Sequence, residues 1–157
     1  MPETPERLSE RLLTEGQKTL DFFRHLAPEQ WDLGIYSDGS GWAIQQLLAH
    51  FVATEAAFNR LIEGVLAGGP GSPEGFDIDA YNERKVAQLR QVSKDELLER
   101  FFELRQASAS LVAAMTAEDL QKKGRHPYLG VAPLEDIVKL LYRHNQLHQR
   151  DVRRKLS

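Results

Sequence analysis

The chain has 157 residues, of which 41% are hydrophobic and 27% are charged. This length and balance exclude wholesale disorder and a fibrous architecture, and they suit one compact domain spanning residues 1–157. The formal net charge of −3 gives no electrostatic reason to expect nucleic acid as a partner, and the absence of cysteine excludes disulfides, thiolate metal ligands and a cysteine nucleophile.

The first predicted helix begins at Pro5, which suits the first turn because the backbone N–H that it lacks would have no partner there. Its apolar stripe fades near Leu26, before Pro28. The stripe consists of Leu8, Leu12, Leu13, Leu20 and Phe23. Residues 31–41 follow as a glycine-containing loop, in which Ser40 is a candidate N-cap for the next helix.

A second helix is predicted from Trp42 to Ala67, because apolar side chains recur there at spacings of three and four residues. These side chains are Ile44, Leu47, Leu48, Phe51, Phe58, Leu61, Ile62 and Val65. Residues 68–75 are rich in glycine and proline. They form a connection that is long enough to cross one end of a bundle or to act as a mobile lid over a site.

A third helical region begins after Asp77 or Asp79 and continues to about Thr116. It restarts at Ser93, where the residues Ser-Lys-Asp-Glu match a capping box, and the pattern allows a kink at this point. A loop follows this region and leads to the last helix. Its turn-forming residues are Gly124, Pro127 and Gly130.

The last helix starts at Pro133, and its basic C-terminal end complements the helix dipole. Its apolar stripe consists of Leu134, Ile137, Leu140, Leu141, Leu147 and Val152. The basic residues are Arg150, Arg153, Arg154 and Lys155. No strand-like alternation of comparable length is present. Four amphipathic helices with two longer connections predict an all-α fold, a four-helix bundle.

The sequence shows no sign of a membrane segment. The N-terminus MPETPERLSERL lacks an apolar region, and no stretch approaches the roughly 20 apolar residues that cross a bilayer. We therefore expect no membrane partner and a cytoplasmic location.

Two histidines, His144 and His148, lie four positions apart within the apolar stripe of the last helix. This spacing places both imidazoles on one helix face, from which they can bind one metal ion. The spacing alone does not establish a site, because five histidines form such a pair by chance at an appreciable rate. Their place in the stripe adds weight, since a buried polar group without a partner costs about 1–3 kcal/mol.

His50 is the best candidate for a third ligand, because sites with an open position commonly use three protein ligands. It lies in the middle of helix two, on the flank of the stripe. The alternative is a core histidine that is hydrogen-bonded to a backbone or hydroxyl group. We interpret His25 as a cation at the end of helix one and His126 as a solvated loop residue. Other polar side chains that could approach a central cavity are Glu55, Tyr81, Asn82, Tyr142 and Asn145.

The chain resembles the DinB-like (DinB/YfiT-like) metal-binding four-helix bundles over nearly its whole length. The segments that carry the resemblance occur in the family's order. They are Leu26-Ala-Pro-Glu-Gln-Trp31, the start at Gly41-Trp42, Leu47-Leu48-Ala49-His50, Tyr81-Asn82 and His144-Asn-Gln-Leu-His148. In that family the histidine that ends the Trp-to-His segment and both histidines of the final HxxxH commonly bind a divalent metal. The resemblance therefore implies that His50, His144 and His148 are metal ligands here.

The resemblance implies nickel, zinc or iron in an incomplete coordination shell, but it assigns no further catalytic acid or base. Some relatives are transferases or isomerases that use a small cellular thiol such as mycothiol or bacillithiol. Our leading hypothesis is a metal-dependent thiol S-transferase acting on a small-molecule substrate. The alternatives are a metal-dependent hydrolase, a non-catalytic metal- or ligand-binding stress-response protein, and a structural bundle with hydrogen-bonded histidines. The resemblance also implies a homodimer.

Overall fold

A computed structural model describes residues 3–36 and 41–157 of the chain. In these ranges it contains five α-helices and one two-stranded antiparallel sheet. The helices are α1 (Pro5–Arg24), α2 (Ile44–Leu66), α3 (Ile78–Gln88), α4 (Lys94–Ala113) and α5 (Leu134–Leu156). The strands are β1 (Lys123–His126) and β2 (Gly130–Pro133), and short 3-10 helices cover Pro28–Asp32 and Asp119–Gln121.

The start signals of α1 and α4 act as predicted. Pro5 occupies the first turn of α1, behind Thr4, whose hydroxyl accepts a hydrogen bond from the backbone N–H of Arg7. Ser93 caps α4 in the same way by accepting a hydrogen bond from the backbone N–H of Glu96 at 3.2 Å. The chain does not kink at Ser93 within one helix, because α3 and α4 are separate helices.

The second helix begins later than predicted, at Ile44 rather than at Trp42. The chain on either side of the preceding loop is paired instead. Ile35 donates its backbone N–H to the carbonyl of Trp42 at 2.9 Å, and Ile44 donates to the carbonyl of Leu33 at 3.1 Å. The predicted cap at Ser40 lies outside the described residues.

A short β-hairpin occupies the predicted loop between α4 and α5. β1 and β2 pair antiparallel, from Lys123 opposite Pro133 to His126 opposite Gly130. Gly130 has a φ of +74°, a conformation that glycine adopts without a steric penalty. Each strand has only four residues, which is too short for alternation to stand out in the sequence.

The glycine-rich connection after α2 is paired with the hairpin. Arg125 donates its backbone N–H to the carbonyl of Pro70 at 2.8 Å, and Ser72 donates to the carbonyl of Arg125 at 2.7 Å. Gly71 lies between these bonds with a φ of +91°, and a Cβ atom there would overlap with the Arg125 backbone. This close approach requires glycine and holds the connection against β1, so this part of it is not a free lid.

Helices α1, α2, α4 and α5 form the bundle, and α3 packs against α2. The neighbours α1 and α5 run parallel, because Arg11 lies over the ring of Tyr142 and, further along both helices, Arg153 lies over the ring of Phe22. No helix in the described ranges is both long and apolar enough to cross a membrane.

The direction of α4 completes the topology. Ser9, near the start of α1, donates to the carbonyl of Ala109 near the end of α4, so these helices are antiparallel. Gln45, at the start of α2, donates to the carbonyl of Val92 just before α4, so α2 and α4 are parallel. Around the bundle the order is α1, α4, α2, α5, and each helix has one parallel and one antiparallel neighbour. The predicted four-helix bundle is confirmed.

Two apolar cores fill the ends of the bundle, and a layer of buried polar side chains separates them. One core includes Leu8, Phe58, Val112 and Ile137. The other core includes Phe23, Phe51, Phe101 and Val152. The residues of the polar layer, which lie between the cores on all four helices, are Glu15, Thr19, Glu55, Arg105, Ser108, Asn145 and Gln149.

Candidate metal centre

The structure brings together the three histidines that were predicted as ligands. His50 lies on α2, and His144 and His148 lie one turn apart on α5. The Nε2 atom of His144 is 3.1 Å from the Nε2 atom of His50 and 3.1 Å from the Nε2 atom of His148. One nitrogen from each ring can be chosen so that all three lie within 4.8 Å of one another. The cluster could therefore hold a metal ion.

These separations suit imidazole coordination of a divalent metal. A Zn–N bond is about 2.0–2.1 Å long, so two nitrogens on one ion lie about 2.9 Å apart at a right angle and about 3.4 Å apart at a tetrahedral angle. Both observed Nε2–Nε2 distances fall between these values. In addition, the Nδ1 atom of His144 is buried without a hydrogen-bond partner among the described residues, so their hydrogen bonds leave this ring nitrogen unsatisfied.

Burial favours the neutral form of all three imidazoles. Desolvation lowers the pKa of His50 to about 3, and the neighbouring His148 adds to this effect. The pKa of His144 is lowered mainly by burial and then by the two other histidines. Burial also lowers the pKa of His148, although the carboxylate of Asp151 opposes this shift. A neutral imidazole has the free electron pair that a metal ion requires.

Side chains outside the cluster contact its rings. The hydroxyl of Tyr36 lies 2.6 Å from Nδ1 of His148 and donates to Oδ2 of Asp151 at 2.8 Å. The Trp42 ring lies 4.9 Å from the His50 ring between centroids. The sequence pattern did not single out Tyr36 or Asp151. Asp151 was recognisable from its position one turn after His148, but Tyr36 lies in an irregular loop 112 residues away.

A buried ion pair lies in the polar layer beside the histidines. The fully buried Arg105 donates to both carboxylate oxygens of Glu55, from Nε at 2.8 Å and from Nη2 at 3.0 Å. It also donates to the carbonyl of Leu12 at 3.1 Å and to the side-chain oxygen of Asn145. Ser108 donates to Glu55 at 2.6 Å. One guanidinium group thus links all four bundle helices.

This network accounts for the burial of two polar residues that were predicted to approach a central cavity. Glu55 and Asn145 are buried, but they are bonded to Arg105 rather than free to react. Arg105 itself was not predicted. Its spacing could have indicated that it is buried, since it follows Phe101 by four residues and so continues the buried stripe of α4.

The remaining candidates for a central cavity lie elsewhere. Tyr81 accepts a hydrogen bond from Arg60 at the surface, at 3.0 Å. Tyr142 is buried in one of the apolar cores, beneath the guanidinium of Arg11. Asn82 lies on α3, which packs outside the four bundle helices. None of these side chains joins the histidine cluster.

The two other histidines also lie outside the cluster. His25 is exposed at the end of α1, as predicted, and its Nδ1 is 2.6 Å from the carbonyl of Asp21. The prediction of a solvated His126 is wrong, because the hairpin folds this ring against α2. Its Nδ1 accepts hydrogen bonds from the backbone N–H groups of Tyr128 and Leu129, at 3.0 and 3.2 Å. Burial lowers the pKa of His126 to about 4.

Solved structures of known proteins share this fold. YfiT from Bacillus subtilis, described as a probable metal-dependent hydrolase with an unusual four-helix bundle topology, has a TM-score of 0.77 at 16% identity, over 96% of this chain and 84% of YfiT. The colibactin self-resistance protein ClbS, solved in complex with double-stranded DNA, has a TM-score of 0.76 at 10% identity, over 98% and 96% of the two chains. An uncharacterised protein from Escherichia coli UTI89 has a TM-score of 0.74 at 13% identity, over 98% and 93%.

These low identities show a shared fold and not a shared reaction. No curated protein matches the chain significantly. The family model of the DinB superfamily, however, matches residues 11–152, a range that includes all three clustered histidines. The chain therefore belongs to the DinB superfamily.

Proposed function

We propose that His50, His144 and His148 bind one divalent metal ion and that this metal centre is the reactive site of an enzyme. The supporting observation is the convergence of three imidazoles whose nitrogens lie at coordination distances from one another. Imidazole suits nickel, zinc and iron, which are the metals expected from the family resemblance. Three protein ligands leave coordination positions for water or substrate.

The surroundings of the cluster suit a reaction of a small molecule. His50 is buried, whereas His144 and His148 are partly buried, so a small molecule would approach the cluster from the side of α5. A bound divalent metal would lower the pKa of a coordinated thiol or water and so supply a nucleophile near neutral pH. The chain keeps the imidazoles neutral and surrounds them with apolar rings, including those of Trp42 and Phe51.

A thiol is the nucleophile that we favour. The chain contains no cysteine, so the thiol would come from a low-molecular-weight cosubstrate of the mycothiol or bacillithiol type. In this transfer the thiol loses its S–H proton to solvent water, and its sulfur forms a bond to a carbon of the substrate. The leaving group departs from that carbon with the electron pair of the broken bond.

Hydrolysis is the second candidate reaction, and the description of YfiT as a probable metal-dependent hydrolase favours it. Water would then take the place of the thiol. Both reactions require the same three histidines, so the two candidates differ in the nucleophile and not in the metal ligands.

Cobalt(II) titration tests the metal and the nucleophile together. We expect cobalt(II) to give visible ligand-field bands, because three imidazoles and open positions favour low coordination numbers. The bands should saturate at a single ion per chain, because the three histidines form one site. Addition of N-acetylcysteine should then produce a thiolate-to-cobalt charge-transfer band. The His25→Ala variant is the control, because this exposed histidine lies outside the cluster.

The outcomes of the titration separate the hypotheses. Absence of cobalt bands would contradict the metal centre. Cobalt bands without a thiol band would favour water as the nucleophile or a non-catalytic metal-binding protein. Loss of the bands in His25→Ala would mean that the ion is bound at another place.

We expect no nucleic-acid partner, because the formal net charge is −3. The structure of ClbS was solved with DNA, but at 10% identity the similarity shows only that the two proteins share a fold. The basic residues at the C-terminal end lie within the last turns of α5, and one of them, Arg153, packs over the ring of Phe22.

The cytoplasmic location also stays a prediction.

The outer face of α5 and the hairpin beside it suit the homodimer that the resemblance implies. Exposed large apolar side chains here are Tyr128 (81%), Val131 (63%) and Leu147 (50%). Asp136, Leu140 and Arg143 share this face of α5 at spacings of four and three residues. A two-fold axis at Leu140 would place Asp136 of each copy opposite Arg143 of the other, so the face is complementary to itself.

Charge reversal tests this dimer. Arg143→Asp would place like charges opposite one another, so we expect a shift toward monomer in sedimentation equilibrium. Combining it with Asp136→Arg restores opposite charges and should restore the dimer. A monomeric parent protein would contradict the homodimer, and dimers of undiminished stability in Arg143→Asp would contradict this interface.

A further inference from the structure

The connection between α1 and α2 reaches one of the clustered histidines. Its two sides are held together by the bond from Ile35 N–H to the Trp42 carbonyl and by the bond from Ile44 N–H to the Leu33 carbonyl. This pairing carries Tyr36 to α5, where its hydroxyl lies 2.6 Å from Nδ1 of a histidine in the cluster, His148.

The hydrogen bonds around the Tyr36 hydroxyl determine where the proton of His148 lies. The hydroxyl donates its proton to Oδ2 of Asp151 at 2.8 Å, since a carboxylate only accepts. The oxygen of Tyr36 must therefore accept from His148, which requires a proton on Nδ1. In a neutral ring this leaves the free electron pair on Nε2, the atom that lies 3.1 Å from Nε2 of His144.

We propose that Tyr36 and Asp151 are positioning residues that fix the tautomer and the ring orientation of His148, so that its Nε2 faces the metal. This inference rests on the proposed metal centre. Partners of this kind on the second ring nitrogen raise the basicity of a ligating histidine and reduce the ordering needed on metal binding. Asp151 lies one turn from His148 on the same helix, whereas Tyr36 comes from a distant segment.

Within residues 3–36 and 41–157, the other two rings lack an equivalent arrangement. The Nδ1 atom of His50 has there only a long contact, at 3.4 Å, with the hydroxyl of Thr54. The Nδ1 atom of His144 has no hydrogen-bond partner among the described residues. His148 is therefore the ring whose tautomer is set most firmly. Metal binding is coupled through it to the docking of the α1–α2 connection on α5.

The affinity of the protein for zinc, measured by competition with a chromophoric chelator, tests the role of Tyr36. Tyr36→Phe keeps the ring and removes the hydroxyl, and we expect about 10–100-fold weaker zinc binding. The matched control is Tyr81→Phe, which removes a hydroxyl bonded to Arg60 at the surface and should bind zinc as the parent does.

Variants of Asp151 test whether it acts through Tyr36. Asp151→Ala should also weaken zinc binding, and Asp151→Asn, which still has an oxygen to accept the Tyr36 proton, should recover part of the loss. Tyr36→Phe combined with Asp151→Ala should bind zinc about as weakly as Tyr36→Phe alone, because the hydrogen bonds connect the carboxylate to His148 through the Tyr36 hydroxyl. Additive losses would contradict this arrangement.

Long-range ¹H–¹⁵N spectra of the imidazoles give a second readout that needs no metal. In metal-free parent protein above pH 7, we expect the ¹⁵N shifts of His148 to show a proton on Nδ1. Tyr36→Phe should shift the ring toward a mixture of tautomers, which a merely structural role would not predict. An unchanged tautomer, or zinc affinity equal to that of the parent, would overturn the role of Tyr36. Parent protein that binds no zinc would instead overturn the metal centre itself.

Discussion

Replacing Glu55 with alanine is expected to lower the free energy of unfolding by about 3–5 kcal/mol, because a buried guanidinium would lose its carboxylate partner. Arg105 has an exposed fraction of 0% and binds both oxygens of Glu55. Its side chain is packed closely against Gly16, which leaves it little freedom to turn toward solvent. Urea unfolding of metal-free protein, followed by far-ultraviolet circular dichroism, measures the change.

An ion pair on the surface of α4, the helix that carries Arg105, provides the control for this prediction. Arg100 pairs with Glu96 at 3.1 Å, and the two side chains are 42% and 52% exposed. Arg100→Ala should therefore cost only about 0.3–0.5 kcal/mol. If Glu55→Ala cost no more than Arg100→Ala, the buried pair would not be a major source of stability. Glu55→Gln keeps the size and one acceptor, so it should fall between the two.

The His144→Ala variant is expected to lose most of its affinity for zinc, because the Nε2 atom of His144 lies 3.1 Å from both other Nε2 atoms of the cluster. Zinc at about 100 times its dissociation constant should stabilise the parent by about 2.7 kcal/mol, since the ion binds the folded chain. The resulting increase in melting temperature should disappear in the variant. Elemental analysis of gently purified protein and thermal unfolding, with zinc or with chelator, measure both effects.

A second buried histidine separates loss of metal from loss of packing. His126→Asn removes a buried ring outside the cluster, so it should lower stability and yet keep the zinc-dependent increase in melting temperature. Equal metal content in His144→Ala and the parent would contradict the three-histidine centre. Loss of metal in His126→Asn would show that the hairpin also supports it.

The helices and the paired histidines were predictable because their signals are local. Leu97, Phe101 and Val112 repeat at the helical period, and Ser93 marks the start of their helix by capping it. His144 and His148 share a face of any α-helix that contains them, whatever the rest of the chain does. The position of His50 made it a candidate for the third ligand but was equally consistent with an ordinary core histidine, and the family resemblance favoured the ligand.

Three features were not predicted, because local sequence patterns do not establish the contacts that create them. The four-residue strands of the hairpin are too short to show alternation, and their pairing is what buries His126. Arg105 continues the spacing of the buried stripe of α4, but its acceptors come from three other helices and are not evident in the sequence around it. Tyr36 contacts His148 only because residues 33–35 pair with residues 42–44.

By itself, the sequence determined the all-α fold, the helix starts at Pro5 and Ser93, and the shared face of His144 and His148, since these depend on interactions within about one helical turn. Only the tertiary structure decided that His50 meets that face from a helix 94 residues away and that a tyrosine from the α1–α2 connection binds the His148 ring. Those contacts depend on which helices become neighbours, and that arrangement follows from the burial of apolar surface over the whole bundle rather than from any single segment.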